Sequence, residues 1–139
     1  MMVTLLAAVV IVRCKPMREI TIEPLSAMDA VSSKEDYAII FVQLDWAVPQ
    51  RDRDMFKEFA KRYYNTSLRR RAKFHIINFT SSGYDKLYEL PGWFEQPNAK
   101  IGGYGEIVWL KKGRVVGIAQ CNTMTDVEEA MKLTTRYFP

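Results

Sequence analysis

YAIIFVQLDWAVPQRDRDMFKEFAKRYY, residues 37–64, holds three kinds of sequence in succession. Tyr37 to Asp45 is an apolar run rich in Ile, Val and Phe, and at this length it predicts a strand buried on both faces. Arg51 to Tyr64 carries apolar pairs at Met55 and Phe56, Phe59 and Ala60, and Tyr63 and Tyr64. Those pairs form the stripe that an amphipathic helix turns toward a core. Trp46 to Gln50, with one proline, makes the turn between them. Such a turn lies where a strand's C-terminal end meets a helix N-terminus, and ligands collect there in α/β folds.

The flanking sequence supplies the other elements. Upstream, Glu19 to Ile22 reads as a short strand ended by Pro24, and Ser26 with Asp29 resembles a capping box for a helix over Ala27 to Ser33. Downstream, Phe74 to Phe79 is a second buried-type strand. Ser82 and Asp85 cap a short helix that Pro91-Gly92 stops. Glu106 to Leu110 and Arg114 to Gln120 flank Lys111-Lys112-Gly113, a hairpin signal. Thr125 with Glu128 then opens a last helix, whose buried face is expected to be Val127, Ala130, Met131 and Tyr137 or Phe138. Taken together, this is a mixed α/β sheet, parallel in its first part and antiparallel in its final hairpin.

Two of these segments carry a resemblance. Strand, W-A-V-P-Q and helix resemble the thioredoxin family's strand, W-C-x-P-C and helix, with Ala47 and Gln50 where two redox cysteines would stand. Ile101 to Gly117, IGGYGEIVWLKKGRVVG, is similar to the family's loop, strand, Lys-x-Gly turn and final strand. That register puts Gly105 at the family's cis-proline. The likeness covers roughly Ile20 to Phe138 and is closest to thioredoxin-like domains of the thiol-disulfide interchange type, in which Asp-Trp often precedes the motif, as Asp45-Trp46 does here. It implies a thioredoxin-like fold with a central mixed sheet of four to five strands flanked by helices. It also implies a site at the turn, and the family's buried acid would fall on Phe41.

Disulfide exchange needs a thiolate to attack and a second thiol to resolve the mixed disulfide. Ala47 and Gln50 supply neither, so the ordinary dithiol mechanism is excluded and no catalytic residue, cofactor or metal is expected. The cysteines, Cys14 and Cys121, stand at no metal or redox spacing. By the resemblance Cys121 falls on the family's substrate-facing loop, and it is the candidate for an alternative single-thiol or glutathione-linked oxidoreductase. His75, the lone histidine, lies within an apolar strand and reads as a hydrogen-bonded core residue. The expected function is a redox-inactive protein-binding or structural module. The resemblance implies that an extended peptide or protein partner meets Trp46, Ala47, Val48, Pro49 and Gln50 and pairs by strand addition near Tyr104 and Gly105. Trp93, on the long loop Leu90 to Lys100, is a further binding candidate, its alternative being to fold back over the sheet edge.

The chain's 139 residues, 48% of them apolar, suffice for one core. Twenty basic against sixteen acidic side chains give +4, a bias too mild to imply a nucleic-acid partner, and none is expected. Interspersed Asp52, Asp54 and Glu58 make the helix after the turn read as a solvated face. Residues 1–18 form a short hydrophobic N-terminal segment ahead of the domain at 19–139. Met1 to Val12 is too short for a spanning helix and lacks the preceding charge of a secretory signal. Three readings stand for it: an anchor giving membrane association through residues 1–12, the remnant of a signal, or an element packed on the domain. Localisation is accordingly read as membrane-associated or exported, with the cytoplasm as the alternative.

Overall fold

A computed structural model describes residues 21–44, 49–66, 72–79, 85–97, 99 and 104–139. In chain order the elements are β1 (Thr21–Pro24), α1 (Leu25–Lys34), β2 (Tyr37–Leu44), α2 (Gln50–Thr66), β3 (Lys73–Phe79), α3 (Asp85–Tyr88), β4 (Tyr104–Lys111), β5 (Arg114–Gln120) and α4 (Val127–Tyr137). Single 3-10 turns stand at Trp93–Glu95 and Cys121–Thr123. The sheet order is β1-β3-β2-β4-β5. β1 and β2 both pair parallel with β3, whereas β4 runs antiparallel to β2 and to β5. This is the mixed sheet read from the sequence, with five strands. The anchor and signal readings of residues 1–18 lie outside the described residues, among which no helix is long and apolar enough to cross a membrane.

β2 occupies the centre, and Ala38 to Gln43 are all buried. Strand side chains alternate between faces, so a strand covered on both sides is apolar on both, as Ala38 to Val42 are, and the buried Gln43 at its end donates from its side-chain amide to Asn78 Oδ1. Ile39 and Phe41 join Phe56, Phe59, Phe74, Ile107 and Trp109 on the side of α2 and α4. Ala38, Ile40 and Val42 join Met28, Ile77, Leu87, Trp93 and Val108 on the side of α1 and α3. The aromatic pairs of α2 enter the first layer as predicted: Phe56 stacks on Phe41 at 5.2 Å between ring centroids, and Phe59 meets Phe74 edge-on at the same distance. Pro24 ends β1 at the sheet edge, where a residue without an N–H breaks no ladder.

The cap of α4 differs from the expected one by a residue. Asp126 is the N-cap and accepts from the Glu129 amide at 3.2 Å, while the Thr125 hydroxyl donates to Glu129 Oε1 at 2.6 Å. An aspartate satisfies the orphan amide as well as a threonine does, and the Thr125 hydroxyl is left to hold the glutamate. The helix also buries a polar residue that the apolar period does not reveal. Thr134 accepts from Trp109 Nε1 at 3.0 Å and donates to the Ala130 carbonyl at 2.7 Å, so the buried indole N–H is satisfied. His75 is buried with Nε2 3.4 Å from Glu35 Oε2, in keeping with its reading as a hydrogen-bonded core residue.

Replacing Thr134 by valine keeps the volume and strands the Trp109 N–H. Chemical denaturation is expected to show a loss of about 1–3 kcal/mol, and unchanged stability would mean that this hydrogen bond contributes nothing net.

Candidate functional site

The turn between β2 and α2 is the place to build from. α2 starts when the Pro49 carbonyl accepts from the amides of Asp52 at 3.1 Å and Arg53 at 3.4 Å. Proline fixes its own φ and loses nothing by lacking an N–H at a helix start, where amides have no intrahelical partner. Pro49 and Gln50 are exposed, and Gln50 reaches along the helix to Asp54 Oδ1 at 2.8 Å. Trp46, Ala47 and Val48 lie outside the described residues.

Behind this rim sits an acid that the sequence reading left on the solvated face. Asp52 is 1% exposed. Its Oδ1 takes Arg51 Nη1 at 3.1 Å, and Arg51 Nη2 goes on to the Met124 carbonyl at 2.5 Å. Its Oδ2 is buried with no hydrogen-bond partner among the described residues. The charge is tolerated because the helix N-terminus carries positive partial charge and a guanidinium lies alongside. Composition hid this residue, since an Arg-Asp-Arg-Asp run looks solvated throughout. The available signal was its place in the first turn, two residues after Gln50.

β4 enters the site through a bulge. Val42 pairs with Glu106 and Gln43 with Tyr104, which leaves Gly105 as the extra residue. Gly105 has φ +96°, a conformation that side chains strain. A Cβ there would lie 3.3 Å from the Phe41 ring and 3.5 Å from Asp52 Oδ2. Gly105 therefore sits directly over the buried acid. Phe41, where the resemblance places the family's acid, is stacked on Phe56 instead, and α2 brings a carboxyl to the same neighbourhood. β5 reaches only as far as Glu106, which faces Gln120, so no β5 residue stands opposite Tyr104 or Gly105.

Cys121 closes the site from the other side. It opens the 3-10 turn after β5, and its thiol donates to the Asp52 carbonyl at 3.6 Å. Cys121 therefore lies beside the β2–α2 turn, and its side chain is fully buried. Burial pushes its pKa up to about 12, the Asp52 carboxylate adds to the rise, and Arg51 opposes it. A thiol held in that form is a poor nucleophile, because the thiolate is the reactive species.

Trp93 corrects an expectation. Placed among the binding residues from sequence, it is 1% exposed and packs in the core with Leu87, Leu90 and Val115. Its turn is tied to β5 by the Val115 amide donating to the Pro91 carbonyl at 2.8 Å and by the Gln96 side chain, which turns the indole inward, where its large apolar surface is buried. Among the described residues, no group of three or more His, Cys, Asp or Glu side chains is placed to hold a metal.

No protein-family model and no curated protein matches the chain. Solved structures do. A thioredoxin of Entamoeba histolytica carrying a cysteine-to-serine substitution is 18% identical with a TM-score of 0.52, over 85% of this chain and 99% of that one. Thioredoxin f2 of Chlamydomonas reinhardtii is 8% identical at 0.58, over 86% and 96%. Human ERp44 in its zinc-bound form is 13% identical at 0.58, over 86% of this chain and 30% of that one. The fold is thioredoxin-like.

At pH 8 the native Cys121 should carry on the order of a thousandfold less thiolate than a free cysteine of pKa about 8.5. Alkylation followed by mass spectrometry is expected to find it unmodified until denaturant is added. Because the folded pKa is raised, the protonated thiol contributes stability that is whole below about pH 9 and is lost as pH rises toward about 12. Cys121→Ala should flatten that alkaline decline in melting temperature, and a decline of unchanged steepness would assign it to other groups.

Proposed function

We propose that this thioredoxin-like domain is redox-inactive and serves as a protein-binding module that receives an extended peptide at the end of the sheet beside the β2–α2 turn. The observation that carries the reading is the state of the thiols. The cysteines of the chain are Cys14 and Cys121, with no C-x-x-C pair, and Cys121 is sealed beneath the first turn of α2 as a protonated thiol. Ala47 and Gln50, at the positions that the resemblance gives to the redox pair, offer neither an attacking nor a resolving sulfur. The same burial weighs against the alternative, a single-thiol or glutathione-linked oxidoreductase using Cys121.

Backbone supports the binding half of the reading. Tyr104 pairs with Gln43 on the β2 side, Gly105 is the buried bulge residue beside it, and no β5 residue stands opposite Tyr104, so an extended peptide has the main chain of Tyr104 to pair with there. Pro49 and Gln50 are exposed at the start of α2. Trp46, Ala47 and Val48 complete the surface in this proposal as an apolar platform, and Tyr104 supplies the edge.

Two measurements test the two halves. With a dithiol reductant, the full chain is expected to accelerate disulfide reduction no more than reductant alone does, and turnover that disappears in Cys121→Ser would revive the enzyme. For binding, a library of extended peptides is screened against the parent, and the double variant Trp46→Ala, Tyr104→Ala is expected to weaken captured peptides at least about tenfold. Unchanged capture by a folded double variant would remove this surface from the reading.

A further inference from the structure

The open edge at Tyr104 depends on where β5 stops. Glu106 faces Gln120, Ile107 faces Ala119 and Val108 faces Ile118. Carried two residues further, the same antiparallel register would set Asn122 opposite Tyr104, on the side of β4 left free for a peptide. The segment after β5 is therefore a competitor for that edge, and its covalent tether gives it a high effective concentration there.

Four contacts among the described residues turn it away. Thr123 Oγ1 donates to the Gln120 carbonyl at 2.7 Å and the Met124 amide to the Cys121 carbonyl at 3.1 Å, which curls Cys121–Thr123 into its 3-10 turn. Those two are local. The other two reach back to α2 from 69 and 73 positions away: the Cys121 thiol donates to the Asp52 carbonyl, and the Met124 carbonyl accepts from Arg51 Nη2 at 2.5 Å.

Arg51 makes the longer of these ties from a fixed seat. Its Nη1 holds Asp52 Oδ1 at 3.1 Å, and the side chains are 55% and 2% exposed, so the acid is locked beneath Gly105 while the guanidinium spans outward from it. A planar fork of N–H donors can serve both ends at once. Balancing the Asp52 charge requires only the first bond. The second, to the far side of the open edge, adds nothing to that balance and fixes where the segment after β5 can go. We propose, on the peptide-binding reading above, that Arg51 is a positioning residue: seated on Asp52 and holding the Met124 carbonyl, it keeps that segment curled away from Tyr104 and so keeps the peptide edge open.

Two variants of the full chain separate this role from charge compensation. Arg51→Lys keeps a positive charge beside Asp52 but replaces the fork with a single ammonium. Arg51→Met combined with Asp52→Asn removes the tie without leaving a buried charge unpaired. Each is titrated with the peptide that the parent captures most tightly from the extended-peptide library, circular dichroism confirming a cooperative melt. Because β5 extension and the peptide compete for one edge, the dissociation constant is expected to rise at least about fivefold in both. Nuclear Overhauser contacts between Tyr104 and Asn122, absent in the parent, are expected to appear, a signature that lost stability alone would not produce. Folded variants that capture as the parent does, or weaker capture without those contacts, would overturn the proposal and leave the binding reading standing. A parent that captures no peptide would end both.

Discussion

The whole molecule answers to the burial of β2 on both faces. A strand that is apolar from Ala38 to Val42 on both faces has to be covered twice, by α2 and α4 on one side and by α1, α3 and the Trp93 turn on the other. The apolar stripe of α2 is the counterpart of that requirement, and Phe56 and Phe59 meet the sheet through Phe41 and Phe74. Once the central strand is covered, the end of the sheet where it turns into α2 is the place left for a site.

That site is built on compensation. α2's first turn brings a carboxylate indoors, and the energy of doing so is offset by the helix N-terminus and by Arg51, which also ties the turn to the Met124 carbonyl. Gly105 then permits β4 to pass over the acid without a side chain, at the position where its ladder with β2 breaks register. Cys121 fills the remaining space. The outcome is a polar cluster of Arg51, Asp52 and Cys121 packed between α2, β4 and the turn after β5.

Much of the fold was legible because its signals are periodic. The apolar run at Tyr37, the paired aromatics of α2, the Lys-Lys-Gly turn and the two C-terminal strands all announce themselves, and the element order follows. The site was less legible, since it depends on contacts between residues far apart. Asp52 sits in a run of alternating charges, and only the docking of β4 and the Cys121 turn over α2 makes it a buried residue. Trp93 shows the same difficulty in reverse: a long loop with aromatics advertises exposure, but Gly92 and Gln96 fold the indole inward and leave Phe94 outside. In α4, Thr134 broke the apolar pattern for a reason held on another strand, the N–H of Trp109.

The strand order also bears on how the chain can be made. Ile40 pairs with His75 on one side and with Val108 on the other, partners 35 and 68 positions later in the chain. During synthesis the first neighbour of β2 therefore arrives well before the second, and a nascent chain that has completed β3 still presents an apolar central strand with one bare edge. Pairings of such long sequence separation carry a loop-closure cost before they return any stability. The sheet closes only when β4 is released, so the interval between those two events is when this chain is most exposed to pairing with the wrong strand.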